Sequence, residues 1–536
     1  MRRYLFPAFV LLLVAALAFS VGFYSGFRKN VVFEMIVRGA RAMNPAPLVT
    51  AAPEMRLDMT DRAFLDSTLL PLHQDEILVT SSEGTPLPLL ALEAAGGEDA
   101  IALGAEGTLF RMTGAACPGD GCLRQIGRLV RPDGTALDDI YDLLSLEREG
   151  GRDWYVSYGQ PDAAGFNKSF AISRFVLPED EGGKSLQPVE KPVFLSRSFS
   201  LRNGHAPRSA GGAMAYDPKT DEIIVAVGDY SLNGIANVYS GAVPPSQSPD
   251  SDIGKILRID RETGQSHIVS MGHRNPQGLS ISSDGELIST EHAPKGGDEI
   301  NLIAEGRNYG WPYASMGTVY GTYSFPEKPL RAGEVHGGYT PPIAAYLPSP
   351  GISAVTHIEG FHPAWDGDLM VATLKARSLM RVRRWVGGSY TEQIYIGDRI
   401  RDVDIVGKAM LLATDSGKII RLTPVENVQL ARTETGLNTN LNALSNCGGC
   451  HNLNYPVSTR DAPHLRNLMG RPIASASDYS TYSPALLAKS TGTWDIESLE
   501  KFLRAPQEFA PGTAMPDLGL SDGEIAELMT ELPLLR

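Results

Sequence analysis

A strand–turn–strand pattern recurs six times between residues 100 and 425, and helical periodicity replaces it after residue 440. These two observations predict an all-β six-bladed propeller followed by a small all-α domain. An uncharged apolar run at the N-terminus adds a transmembrane helix. Composition agrees with this plan. Of 536 residues, 43% are hydrophobic and 21% charged, and 55 Gly with 37 Pro supply the turns that many short strands need. A net charge of −14 without a Lys/Arg run excludes nucleic acid, whose phosphates need a concentrated basic face. Four cysteines in two close pairs exclude a disulfide-stapled miniprotein, so the core must be hydrophobic.

The N-terminal run, Tyr4 to Tyr24, has 21 residues without a charge. At 1.5 Å per residue it reaches about 32 Å, enough to cross a bilayer. Arg2 and Arg3 precede it and Arg28 and Lys29 follow, so flanking charge alone does not orient it. Ala16-Leu17-Ala18 also reads as a signal-peptidase site, which leaves a cleaved signal beside an uncleaved anchor for residues 1–30. Either reading exports the rest of the chain, and the expected location is a bacterial inner membrane with the globular domains in the periplasm. Residues 31–70 connect this run to the propeller.

The propeller is expected over 71–428. Its repeats begin at Ile101, Trp154, Ile223, Leu287, Leu369 and Leu411, about 60 residues apart, and are rich in Val, Ile, Thr and Tyr. Inner strands of a propeller line a central channel, so residues at their ends converge. Asp229, Glu291-His292, Lys375 and Asp415 occupy such ends. Cys117 and Cys122 enclose a short Pro-Gly-Asp-Gly turn, which in an exported chain reads as a small-loop disulfide, with two reduced thiols the alternative.

Residues 429–440 are polar and non-periodic and read as a linker. From 441 to 536 apolar spacing is helical at Ile496–Leu503 and Glu524–Met529, and Ser521 with Glu524 forms a capping box. Within this domain stands Cys447-Gly448-Gly449-Cys450-His451. Two thiols at this spacing can add to both vinyl groups of a haem, and the adjacent His becomes an axial iron ligand. A thioredoxin-like pair lacks its βαβ context here, and a zinc site lacks two further close ligands. Met515, in Gly512-Thr513-Ala514-Met515-Pro516, is the candidate sixth ligand. The segment resembles class I cytochromes c of the mitochondrial type, through Ala462-Pro463-His464-Leu465, Leu468-Met469-Gly470-Arg471, Thr493-Trp494 and the Met515 loop. That resemblance implies one covalent haem c, a Pro463 carbonyl that orients His451, and Trp494 near a propionate. A thioether ligand raises the iron potential, which suits electron transfer to a downstream carrier or respiratory oxidase.

Gly272-His273-Arg274-Asn275-Pro276-Gln277-Gly278, Asp298-Glu299-Ile300-Asn301-Leu302-Ile303 and Asn308-Tyr309-Gly310-Trp311-Pro312 resemble the quinoprotein glucose/sorbosone dehydrogenases, a family that includes the aldose sugar dehydrogenases. The resemblance runs from about Asn203 to Leu422 and implies a six-bladed propeller that oxidises a sugar or related alcohol by hydride transfer to pyrroloquinoline quinone. Carried over by position, Arg274, Asn275, Lys375, Arg399 and Arg401 would hold the quinone, and the carbonyls of Ala293 and Pro294 would hold Ca²⁺. Several cations suit a cofactor with three carboxylates, and carbonyl oxygens suit a hard divalent ion. One position departs. Where the family has its general-base histidine, this chain has Ser209, whose hydroxyl cannot accept a proton near neutral pH without a base of its own. His205, four residues upstream, is the nearest substitute. A non-enzymatic propeller that binds a partner, and a quinone enzyme acting on something other than a sugar, are the alternatives this leaves.

Overall fold

The computed structural model describes most of the chain from residue 49 to residue 535. Outside the described residues lie 1–48, 50–54, 60–62, 115–121, 163–166, 179–182, 201–208, 234–242, 319–335, 426–443 and some single or paired positions. The N-terminal run, Cys117, His205 and the linker fall among these. Among the described residues no helix is long and apolar enough to cross a membrane. Two compact units emerge, one built mainly on Gln74–Thr423 and the other on Ala63–His73 with the chain from Pro424 onward.

The first unit contains six sheets, the first three strands of each antiparallel. Blade one is Leu89–Gly96, Asp99–Gly104, Thr108–Met112 and Leu123–Val130. Blade two is Ile140–Arg148, Gly151–Pro161, Asn167–Phe175 and Phe194–Leu195. Blade three is Gly211–Asp217, Glu222–Val227, Lys255–Asp260 and Ser266–Met271. Blade four is Pro276–Ile281, Leu287–Glu291, Asp298–Ile303 and Ala344–Tyr346. Blade five is Ile352–His357, Leu369–Thr373, Ser378–Trp385 and Gly388–Tyr395. Blade six takes Ile400–Val406, Ala409–Thr414 and Lys418–Pro424 from the end of the unit and Leu72–Ser81 from its beginning. The first strand of each blade touches the first strand of the next, and blade six touches blade one, so the ring closes.

Each repeat seen in the sequence is the second strand of a blade. Leu287–Glu291, Leu369–Thr373 and Ala409–Thr414 are buried at every residue, because neighbouring blades cover both their faces. Such strands read as unbroken apolar runs. Asp229, Glu291-His292, Lys375 and Asp415 therefore stand at the ends of second strands, which corrects the expectation that they end the innermost ones. Between blades two and three, Leu144, Phe170, Ile172, Val225 and Leu257 form one of the apolar layers that hold the ring together.

In the second unit, Asp495 and Ser498 exchange hydrogen bonds to cap the helix Ile496–Arg504. Ser521 and Glu524 do the same for Asp522–Glu531, as the sequence predicts. Leu499, Leu503 and Leu528 pack with Leu468 and Trp494 in a shared core. Trp494 stacks on Phe509 with ring centroids 5.9 Å apart.

Candidate functional site

Strand direction gathers the predicted residues of the propeller on one face. In every blade the innermost strand leaves that face and the second strand returns to it. Arg274, Asn275 and Arg399 precede innermost strands, whereas His292, Lys375 and Asp415 follow or end second strands. All six belong to the same end of the ring.

Arg274 is fixed on three sides. Its amide donates to Glu291, and its guanidinium donates to the carbonyls of His292 at 2.8 Å and Ala293 at 3.1 Å. The guanidinium also lies over the Trp311 ring, 5.4 Å from its centroid. The Trp311 indole N–H in turn donates to Asp229 at 2.8 Å, where Asn233 and the Ser231 amide also donate, each at 2.7 Å. Burial pushes the Asp229 carboxyl up, against the pull of Arg274 and these donors. Asn275 accepts from the Gly211 amide at 3.2 Å and thereby ties the starts of blades three and four. The sequence did not single out His273, Glu291 and Trp311 as the supports of Arg274. Fully buried His273 bridges Glu291 at 3.0 Å and Ser270 at 2.8 Å, and its place beside Arg274 in the motif was the available signal.

Arg399 and Arg401 share one acid. Arg399 Nε donates to Asp415 at 2.6 Å, while Arg401 donates to both carboxylate oxygens, at 2.5 and 3.3 Å. Burial opposes ionisation of Asp415, but the two guanidiniums hold its carboxyl below the usual range. Lys375 is exposed, and its ammonium has no partner among the described residues. Four cations on one face, one of them unpartnered, fit a polyanionic cofactor. The carbonyl of Ala293 is already taken by Arg274. No group of three His, Cys, Asp or Glu that could hold a metal occurs among the described residues, so the calcium expectation rests on backbone oxygens alone. His292 Nδ1 lies 3.8 Å from Asp298, and burial lowers its pKa. Ser209 sits at φ 63° with its carbonyl accepting from the Tyr230 amide at 2.9 Å.

Below this face runs a cavity of about 300 Å³, which begins at Arg401, Gln277 and Gly211. Glu93, Asp142, Asp402 and Asp404 line it farther in. Each accepts backbone amides; Asp402 takes Leu92 N–H at 2.7 Å and Val403 N–H at 2.8 Å. Burial dominates, pushing Asp402 up to about 7 and Asp404 up to about 6, and raising Glu93 and Asp142.

The second unit has its own cavity, about 340 Å³, lined by Cys447, Cys450, His451, Arg471, Trp494 and Met515. Neither cysteine is in a disulfide; Cys447 is buried and Cys450 exposed. His451 Nδ1 donates to the Pro463 carbonyl at 2.5 Å, which fixes the ring. The Nε of Arg471 is buried without a hydrogen-bond partner, a donor suited to an anionic edge of a bound group. Thiols, imidazole, thioether and apolar walls together fit a covalent haem. Cys122 is disulfide-bonded; Cys117, its expected partner, lies outside the described residues.

A family model described as Glucose / Sorbosone dehydrogenase matches residues 145–421. The aldose sugar dehydrogenase of Escherichia coli is 30% identical over 236 residues, 40% of this chain and 60% of that protein. The match thus spans less than two thirds of that relative. A cytochrome c homologue of Rickettsia felis is 47% identical to the C-terminal part over 75 residues, 14% of this chain and 42% of the homologue. The crystal structure of the soluble Escherichia coli aldose sugar dehydrogenase in its apo-form superposes with a TM-score of 0.50 and 21% identity. That alignment covers 69% of this chain and 100% of the other, a likeness of fold.

Proposed function

The chain belongs to the glucose/sorbosone dehydrogenase family, and from that membership we propose that it is a quinohaemoprotein that oxidises a sugar or related alcohol and passes the electrons to its own cytochrome. The observation that carries the reading is the convergence of Arg274, Lys375, Arg399 and Arg401 on one face of a chain that also holds Cys447-x-x-Cys450-His451. When bound, pyrroloquinoline quinone accepts a hydride from a hydroxyl-bearing carbon, and haem iron accepts electrons singly.

The protein's own part is to bind and orient. Arg274, held by Trp311 and two carbonyls, offers a fixed fork to a carboxylate, and Lys375 offers a mobile point charge. Arg399 and Arg401 stay aligned because Asp415 holds both. The carbonyls of Ala293 and Pro294 would contribute to Ca²⁺. In the second unit Cys447 and Cys450 would carry the thioether bonds, and His451 and Met515 would ligate the iron. Residues 1–30 would place the protein on a bacterial inner membrane with both units in the periplasm, where a further carrier or oxidase collects the electrons. Ser209 favours a second reading, a propeller that binds without catalysis, because a hydroxyl there needs another group as base.

The test is to mature the full chain in an export-competent host, add pyrroloquinoline quinone and Ca²⁺, and follow haem absorbance with aldoses, alcohols and aldehydes. Substrate-dependent haem reduction is expected. Quinone binding without reduction by any substrate class would favour the binding reading, and no quinone binding would refute the cofactor assignment.

A further inference from the structure

Blades one and two enclose another cavity, about 670 Å³, at the end of the ring remote from Arg274. Its rim is formed by two hairpin turns, at Gly96–Asp99 and Arg148–Gly151, each joining an innermost strand to a second strand. Arg111, Arg148, Arg152 and Arg174 line it, against Asp99, Glu147 and Asp153. Four cations against three anions leave one positive charge in excess, in a chain whose total is −14.

These arginines differ in how they are satisfied. Arg148 and Arg174 both pair with buried Asp153, Arg174 at 2.8 Å. Arg152 donates to the neutral Ser145 hydroxyl at 2.6 Å, and its nearest carboxylate, on exposed Glu147, is 3.7 Å away. The Arg111 side chain has no hydrogen bond or ion pair among the described residues, and its Nε is buried. It also stands directly across the ladder from Arg124, and like charges at that spacing repel. A buried guanidinium N–H without an acceptor is costly. An anion in the cleft would relieve both penalties. The turn is shaped for access: a Cβ on Gly96 would lie 3.3 Å from Arg152 Nε, and its φ of +101° suits glycine. Buried Trp154 and Phe175 make an apolar floor, and Val176 leaves 65% of its surface exposed at the edge.

We propose that this cleft binds a phosphate ester, with Arg111 and Arg152 on the phosphate and the organic part against Trp154, Phe175 and Val176. Guanidinium forks match phosphate oxygens in pairs, and the volume leaves room for a substituent. A free phosphorylated metabolite and a phospholipid headgroup share this chemistry. The site stands apart from the quinone face, so the dehydrogenase reading does not depend on it.

The experiment is calorimetric titration of the purified full chain with inorganic phosphate, sn-glycerol 3-phosphate and dihexanoyl phosphatidylglycerol. One of the two esters is expected to bind, and more tightly than inorganic phosphate. Arg111→Gln should weaken that binding by about 10–100-fold, the value of a lost charged hydrogen bond. The same substitution should leave haem reduction unchanged and the melting temperature of the unliganded protein equal or higher. Arg152→Gln should weaken binding similarly. Binding of glycerol 3-phosphate assigns a free metabolite, and binding of the lipid alone assigns a headgroup. No ester binding at millimolar concentration, or parental affinity in both variants, overturns the site.

Discussion

Arg401 illustrates how a cation can be positioned before its ligand arrives. It is tied to Asp415, which Arg399 also grips, so both guanidiniums are held in place by one carboxylate. Because Asp415 would keep Arg399, Arg401→Ala should change the melting temperature little. Its effect belongs to binding. Loss of a charge-assisted hydrogen bond of roughly 1.5–3 kcal/mol should weaken quinone binding about 10–100-fold, read by fluorescence titration of the full chain. Met515 is the corresponding residue of the other unit. Met515→Ala should retain covalent haem but lose the weak near-infrared band of thioether ligation and lower the iron potential. An unchanged band would remove Met515 from the ligand set. The haem residues were legible in the sequence because their chemistry is contiguous. The support that His273 and Glu291 give Arg274 was not legible, because only the packed fold brings the three together.

Among elements, second strands and innermost strands obey different rules. Second strands are covered on both faces and announce themselves as apolar runs. Innermost strands face a cavity, so Glu93, Asp142, Asp402 and Asp404 interrupt the pattern that would reveal them. That is why the six repeats were readable but the strands lining the channel were not. The same carboxylates make a testable pH effect. Their folded pKa values are raised by burial, so the folded chain binds more protons than the unfolded one between about pH 4 and pH 7. Their contribution to stability is therefore greatest at low pH and is lost as pH rises through about 6 to 7. Buried His336 and half-buried His292 and His357, with lowered pKa values, act in the opposite sense over an overlapping window. A difference measurement separates the two. Asp402→Asn should gain melting temperature relative to the parent at pH 8 and lose that gain by pH 5. A pH-independent difference would contradict the raised carboxyl.

At the scale of the whole molecule, blade six joins the two ends of the ring. Buried Asp75, on Leu72–Ser81, pairs with buried Arg421, on Lys418–Pro424, with Arg421 Nε at 3.1 Å. Asp75→Ala would remove a buried charge partner of that guanidinium, and should cost about 3–5 kcal/mol in denaturant unfolding. A loss within about 0.5 kcal/mol, the scale of an ordinary surface substitution, would mean that water or other contacts satisfy Arg421 without Asp75. Sequence reading placed six repeats but not this closure, because nothing in Leu72–Ser81 names a partner 346 residues away in the Asp75–Arg421 pair. The feature also has a meaning in time. A ribosome adds roughly 5–20 residues per second, so the opening strand waits about 20–70 s before its neighbour has been made. Throughout that interval its side toward Lys418–Pro424 is a bare edge, able to pair with any passing strand. The last three strands of the ring end that wait, which makes them the step at which a nascent chain either becomes a closed ring or is lost to aggregation.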